Sequence, residues 1–256
     1  MRLRYWVLAS LWAVAAIVGM PLRLGAQSTE FYLNAVQVFL SPRQRTVLLT
    51  LTNTGETPLN FEISLRKWQQ TPDGQDELSE ADGGVVAFPL LLSVPPGEQR
   101  SLRVGVRQPP LEQENTYRLL VAELPSPNIP NTQGAQLRII KILSLPVFIE
   151  PVTPQRQGEF VNASIQQGRL SVTLRNTGNV HIQTLGIIVR GKSDQGAVIF
   201  EQTLDSVYVL ANRQRDFRNL LLPQTNCAQV RQVTLQTVAT SPTITTTIPT
   251  PNGICS

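Results

Sequence analysis

The chain of 256 residues holds one histidine, His181, and two cysteines, Cys227 and Cys255. A single imidazole cannot build a histidine metal cluster, and two thiols without a nearby histidine do not complete a zinc site. His181 follows a turn and opens a strand, where a structural or exposed histidine is expected rather than a catalytic base. The sequence contains no P-loop, glycine-rich dinucleotide fingerprint, nucleophile elbow or metalloprotease helix. Asp73 to Glu80 is acidic but lacks the ligand spacing of a calcium loop, and reads as a solvated hairpin tip. Asn162-Ala163-Ser164 matches a glycosylation sequon, a pattern that chance produces often. No catalytic residue, metal or cofactor is expected, and the chain reads as a non-enzyme.

The cysteines carry a different chemistry. Arg2 and Arg4 precede an uncharged apolar run from Tyr5 to Met20, Pro21 breaks it, and Leu24-Gly25-Ala26 offers a cleavage site before Gln27. That arrangement reads as a secretory signal peptide over residues 1–26. An uncleaved anchor is the alternative, but the run falls short of the ~20 residues that span a bilayer. Export to an oxidising compartment makes Cys227 and Cys255 a disulfide pair. The closed loop of nearly thirty residues is worth about 3 kcal/mol in the chain-entropy account. Two free thiols are the alternative.

The whole chain has 22 Lys and Arg against 18 Asp and Glu, a formal charge of +4. Removing Arg2, Arg4 and Arg23 with the signal leaves 19 against 18, a net of +1. That weakens the case for a nucleic-acid partner, and membrane contact is expected only through the signal during export. With 41% hydrophobic and 16% charged residues, the chain is not a disordered one.

The elements that would position these groups are strands. Thr50-Leu51-Thr52-Asn53-Thr54-Gly55 returns as Thr173-Leu174-Arg175-Asn176-Thr177-Gly178, 123 residues later. Each copy ends an alternating strand and precedes another, because Asn bonds its own backbone and Gly accepts positive φ. The offset suggests two domains of one fold. Strands are expected near 33–40, 46–53, 58–68, 85–93, 99–107, 116–124 and 136–149. The second half gives 160–166, 169–176, 180–190, 197–210, 214–221 and 230–239. No segment carries a capped helical period. The fold class is therefore all-β, with two immunoglobulin-like β-sandwich domains. The boundary is expected after Pro151, and Ser241 to Thr250 reads as extended coil. The chain then divides into a signal peptide (1–26), two domains (27–151 and 152–240) and a tail (241–256) tied by the disulfide.

Four segments resemble the PapD-like periplasmic chaperones of chaperone–usher pili. They are Leu40-Ser41-Pro42 with Thr46 to Gly55, the turn Pro95 to Arg100, the strand Tyr117 to Pro125, and Leu137 to Leu145 with Pro146 to Pro151. Leu174 to Asn179 and Tyr208-Val209-Leu210 resemble the family's second domain. The resemblance implies a boomerang of two domains. It also implies capping of pilin-like or fibre subunits by donor-strand complementation, and delivery to an outer-membrane usher. The lent strand covers an edge that would otherwise be an aggregation template.

By the same resemblance, the client-binding face of the donor strand would carry Leu137, Ile139, Lys141 and Leu143, with Ile140 and Ile142 turned inward. The Arg and Lys with which the family grips a subunit's terminal carboxylate fall here on Gln37 and Pro146, which are neutral. Lys141, Arg43 and Arg45 are the nearby cations. A non-catalytic exported structural or interaction protein on the same fold is the alternative function.

Overall fold

The computed structural model describes residues 31–109, 111–125, 140–238 and 240–255. Ten strands come first: β1 (Phe31–Leu33), β2 (Val38–Leu40), β3 (Thr46–Asn53), β4 (Leu59–Gln70), β5 (Asp76–Glu80), β6 (Val85–Phe88), β7 (Leu91–Val94), β8 (Gln99–Val106), β9 (Asn115–Glu123) and β10 (Ile142–Ile149). Nine more follow: β11 (Gly158–Gln166), β12 (Arg169–Asn176), β13 (Ile182–Thr184), β14 (Gly186–Lys192), β15 (Val198–Leu204), β16 (Val207–Val209), β17 (Gln214–Leu221), β18 (Gln232–Val238) and β19 (Thr245–Pro249).

The first sandwich packs the sheet β1-β3-β8-β6 against the sheet β2-β10-β9-β4-β5, with β7 pairing β4. Period-two alternation drives this layering. On β4, Leu59, Phe61 and Ile63 point into the core between exposed or half-buried neighbours. Leu49 and Leu51 of β3 and Leu102 and Val104 of β8 meet them from the other sheet. The second sandwich packs β11-β12-β17 against β15-β14-β18-β19, with the short pair β13-β16 between. Its core is separate, built on Leu170, Leu174, Ile187, Val189, Val233 and Leu235.

The repeated Asn-Thr-Gly performs one task twice. Asn53 is 1% and Asn176 2% exposed. Each accepts the N–H of the glycine two residues on, at 2.9 Å in both copies. Asn53 Nδ2 donates to the carbonyls of Thr57 and Val94. Asn176 Nδ2 faces the carbonyls of Val180, Val209 and Leu210 at 2.7, 2.9 and 3.1 Å. Each amide thus ties the end of one strand to a neighbouring strand.

Several expectations are corrected. The run 33–40 is two strands in different sheets, since β1 pairs with β3 and β2 with β10. The runs 85–93, 180–190 and 197–210 divide in the same way, since β6 pairs with β8 but β7 with β4, and β13 pairs with β16 while β14 pairs with β15. Asp73 to Glu80 is solvated as expected but forms the tip and one arm of a hairpin, since β5 pairs with β4, and the Gly74 carbonyl in the turn accepts from Arg215 of the second sandwich. Gly74, at φ +87, is required there, because a Cβ would lie 2.5 Å from the Gln214 carbonyl. The Thr/Pro tail is not coil throughout, since β19 pairs antiparallel with β18. Its end is held by the Cys227–Cys255 bridge.

Candidate functional site

The site begins with an incomplete ladder. β9 pairs with the whole length of β10, but β2 pairs with it only from Val147 to Ile149. Among the described residues no strand covers the other side of β10 from Ile142 to Pro146. Lys141 gives its carbonyl to the N–H of Glu123 on β9, and Glu150 gives its N–H to Leu40 on the β2 side. Antiparallel pairing alternates these directions. Leu143 and Leu145 therefore bond β9, while Ile142 and Ser144 turn their N–H and C=O groups outward. Pro146 occupies an outward position too, where the missing N–H costs β9 nothing.

The side chains alternate with the opposite sense to that expected from sequence. Leu145, Val147 and Ile149 are core residues, and Leu143 packs against that core. Lys141 shares the same face, with its Nζ 5.9 Å from the buried Phe31 ring. Ile140 and Ile142 are 48% and 61% exposed. Lys141 and Leu143 are thus on the core side and Ile140 and Ile142 on the open face. A period of two leaves no choice once Leu145, Val147 and Ile149 enter the core. Leu137 and Ile139 lie outside the described residues.

The open face of this sheet continues into a cleft against the second sandwich. Phe148 stacks on His181 with centroids 3.7 Å apart, and Trp68, Phe148 and Leu210 form a small buried cluster beside Tyr208. The Tyr208 hydroxyl lies 3.3 Å from Gln37 Oε1 and donates to it. Pro146 is buried and stands directly across the ladder from Arg118. The Arg118 guanidinium lies 3.8 Å over the Trp68 ring and 3.8 Å from Asp76 Oδ2. Burial lowers the pKa of Arg118, and the Asp76 charge opposes that shift. Burial likewise raises Tyr208, against the pull of Arg118. Arg118, absent from the sequence reading, is thus the cation nearest Pro146 along the sheet. Arg45 is held elsewhere, donating to the carbonyls of Val106 and Gln108.

Hydrogen bonds fix the two sandwiches against each other. The Glu114 side chain is fully buried, accepts the backbone N–H of His181 and lies 2.9 Å from its Nδ1. Gln70 Oε1 accepts the N–H of Leu210, and its amide nitrogen donates to the Tyr208 carbonyl. Asn179 Nδ2 donates to the carbonyls of Glu112 and Thr153. His181 is therefore a structural residue of the junction, as its place before a strand suggested.

Residues 30–155 match the family described as pili and flagellar-assembly chaperone, PapD N-terminal domain. No curated protein matches the chain. Among similar solved structures is the CsuC–CsuE chaperone–tip adhesion subunit pre-assembly complex from the archaic chaperone–usher Csu pili of Acinetobacter baumannii. The match has 19% identity, covers 86% of this chain and 98% of that chain, and has a TM-score of 0.57. The CupB2 chaperone of Pseudomonas aeruginosa matches at 15% identity, covering 86% and 100%, with a TM-score of 0.51. The E. coli chaperone DraB matches at 14%, covering 84% and 97%, with a TM-score of 0.52. At these identities the likeness is one of fold, and it extends over both sandwiches.

Proposed function

This chain belongs, through residues 30–155, to the pili and flagellar-assembly chaperones of the PapD type, and we propose that it caps pilus or surface-fibre subunits in the periplasm by lending them β10. The observation that carries the reading is the edge from Ile142 to Pro146, which no strand among the described residues pairs, beside two exposed isoleucines. A subunit lacking a strand gains backbone hydrogen bonds there and hides its own open edge. No covalent step or cofactor enters this reading. An outer-membrane usher receives the capped subunit.

Export by residues 1–26 and the division at Pro151 and Ser241 belong to the same reading. Leu137 and Ile139, named by the resemblance, stand in the phase of Lys141 and Leu143, so in this reading capture at the open face rests on Ile140 and Ile142. The neutral Gln37 and Pro146 imply that a subunit's terminal carboxylate is not gripped by those two positions. The test is purification of the tagged chain from the periplasm of its own cells. A small β-rich subunit recovered in stoichiometric amount supports the chaperone reading. The chain recovered alone, with fibres assembled normally in its absence, supports a structural role on the same fold.

A further inference from the structure

The open edge of β10 ends at a residue that cannot extend it. Ile142 and Ser144 each turn one N–H and one C=O outward, by the alternation that sends the Lys141 carbonyl to β9. Pro146 is next in that phase and supplies a carbonyl but no donor. From Val147 onward the edge is taken by β2, and just before β2 Gln37 is engaged by the Tyr208 hydroxyl. Within β10, complete backbone pairing is therefore offered at two residues, and the ladder stops abruptly after them.

We propose that Pro146 is a register stop, a specificity-determining residue for the strand addition proposed above, on which this inference rests. An added strand that slides two residues toward β2 meets a position without a donor and then β2 itself. A slide of one residue turns every side chain to the wrong face. The strand that fits is extended and alternating. It places apolar side chains beside Ile142 and Ile140 on the open face, and a small or polar one beside Ser144. Pro146 thus selects where a partner's pattern must begin, a role for which a charged side chain at this position is not needed.

The test uses the full mature chain and, as probe, a blocked alternating valine–threonine peptide of about nine residues, followed by amide hydrogen exchange. Peptide binding slows the Ile142 and Ser144 amides by about tenfold or more, while Leu143 and Leu145, already bonded to β9, change little. Pro146→Ala adds a third slowed amide, at position 146, and tightens binding by about threefold to tenfold, the worth of one net hydrogen bond. Ser144→Pro moves the stop upstream, leaves Ile142 as the slowed amide and weakens binding by a similar factor. The two variants act in opposite directions, so a loss of fold in one leaves the other decisive. Equal affinities for Pro146→Ala and the parent, with no slowing at position 146, overturn the register stop while leaving strand addition intact. No slowing at Ile142 and Ser144 in the parent overturns strand addition at this edge, and the chaperone reading with it.

Discussion

Replacing Asn176 by alanine removes an amide at 2% exposure whose nitrogen faces three carbonyls, those of Val180, Val209 and Leu210. Two N–H groups serve at least two of those carbonyls, and Oδ1 holds the Gly178 N–H. Each buried group left without a partner costs roughly 1–3 kcal/mol. The sum is about 3 kcal/mol at the low end, and the loss falls on the second sandwich. For a domain of ~100 residues that lowers the melting temperature by roughly 12–24 °C. Calorimetry of the mature chain should show the transition of the second sandwich displaced by that amount.

Asn176→Asp separates hydrogen bonding from packing. It keeps the shape and the acceptor for Gly178 but sets an oxygen against three carbonyl oxygens, so it should cost at least as much as alanine. Thr177→Ala, at an exposed position of the same turn, should change stability by no more than about 0.5 kcal/mol. An Asn176→Ala variant melting within ~3 °C of the parent, or an Asn176→Asp variant as stable as the parent, would refute the strand-tying role.

The remaining predictions concern the second sandwich and the junction. Cys227→Ser with Cys255→Ser frees the tail that carries β19, and should cost about 3–4 kcal/mol in the second transition with the first unmoved; equal stability of both forms would contradict it. Glu114→Ala strips the buried partner from the His181 backbone and ring, and should cost roughly 1–3 kcal/mol and loosen the junction, read as accelerated amide exchange at His181. The Asp216 carboxyl is held below its ordinary range, first by the hydrogen bond from Arg218 and then by that from Thr173, against burial. Its contribution to stability is complete above the unfolded value of about 3.9 and lost as pH falls through the lower folded value. The stability gap between the parent and Asp216→Asn should therefore be constant at neutral pH and shrink below about pH 4.

The strands whose edges are marked by turns were legible. β3 and β12 run to the buried asparagines of the repeated Asn-Thr-Gly, and both match the ranges read from alternation. The junction of β1 and β2 was not legible, because a chain that leaves one sheet for the other keeps the same apolar alternation. β5 was missed because Asp76 to Glu80 is exposed throughout, so no buried face signals it. β19 was missed because a threonine run looks the same in a loop as on a sheet edge. A strand ending at Ile149 was read, but Ile140 and Ile142 were read as facing the core and are exposed instead. Counting from Leu145, Val147 and Ile149 as core residues corrects it, and that burial is a tertiary fact. Arg118 gave no signal at all, since its role comes from lying across the sheet from Pro146 and over Trp68. Glu114 likewise reads as an ordinary loop residue until the second sandwich closes over it.

Capture of a subunit by the open face of β10 is the central claim, and one variant addresses it directly. Ile140 and Ile142 are exposed, so Ile140→Asp with Ile142→Asp should leave the melting temperature within a few degrees of the parent. The tagged chain and this variant are purified in parallel from the periplasm of their own cells, and the co-purifying small subunit is quantified. The account predicts a stoichiometric subunit with the parent and its loss, by about tenfold or more, with the folded variant. An undiminished yield of the subunit with the folded variant would contradict it.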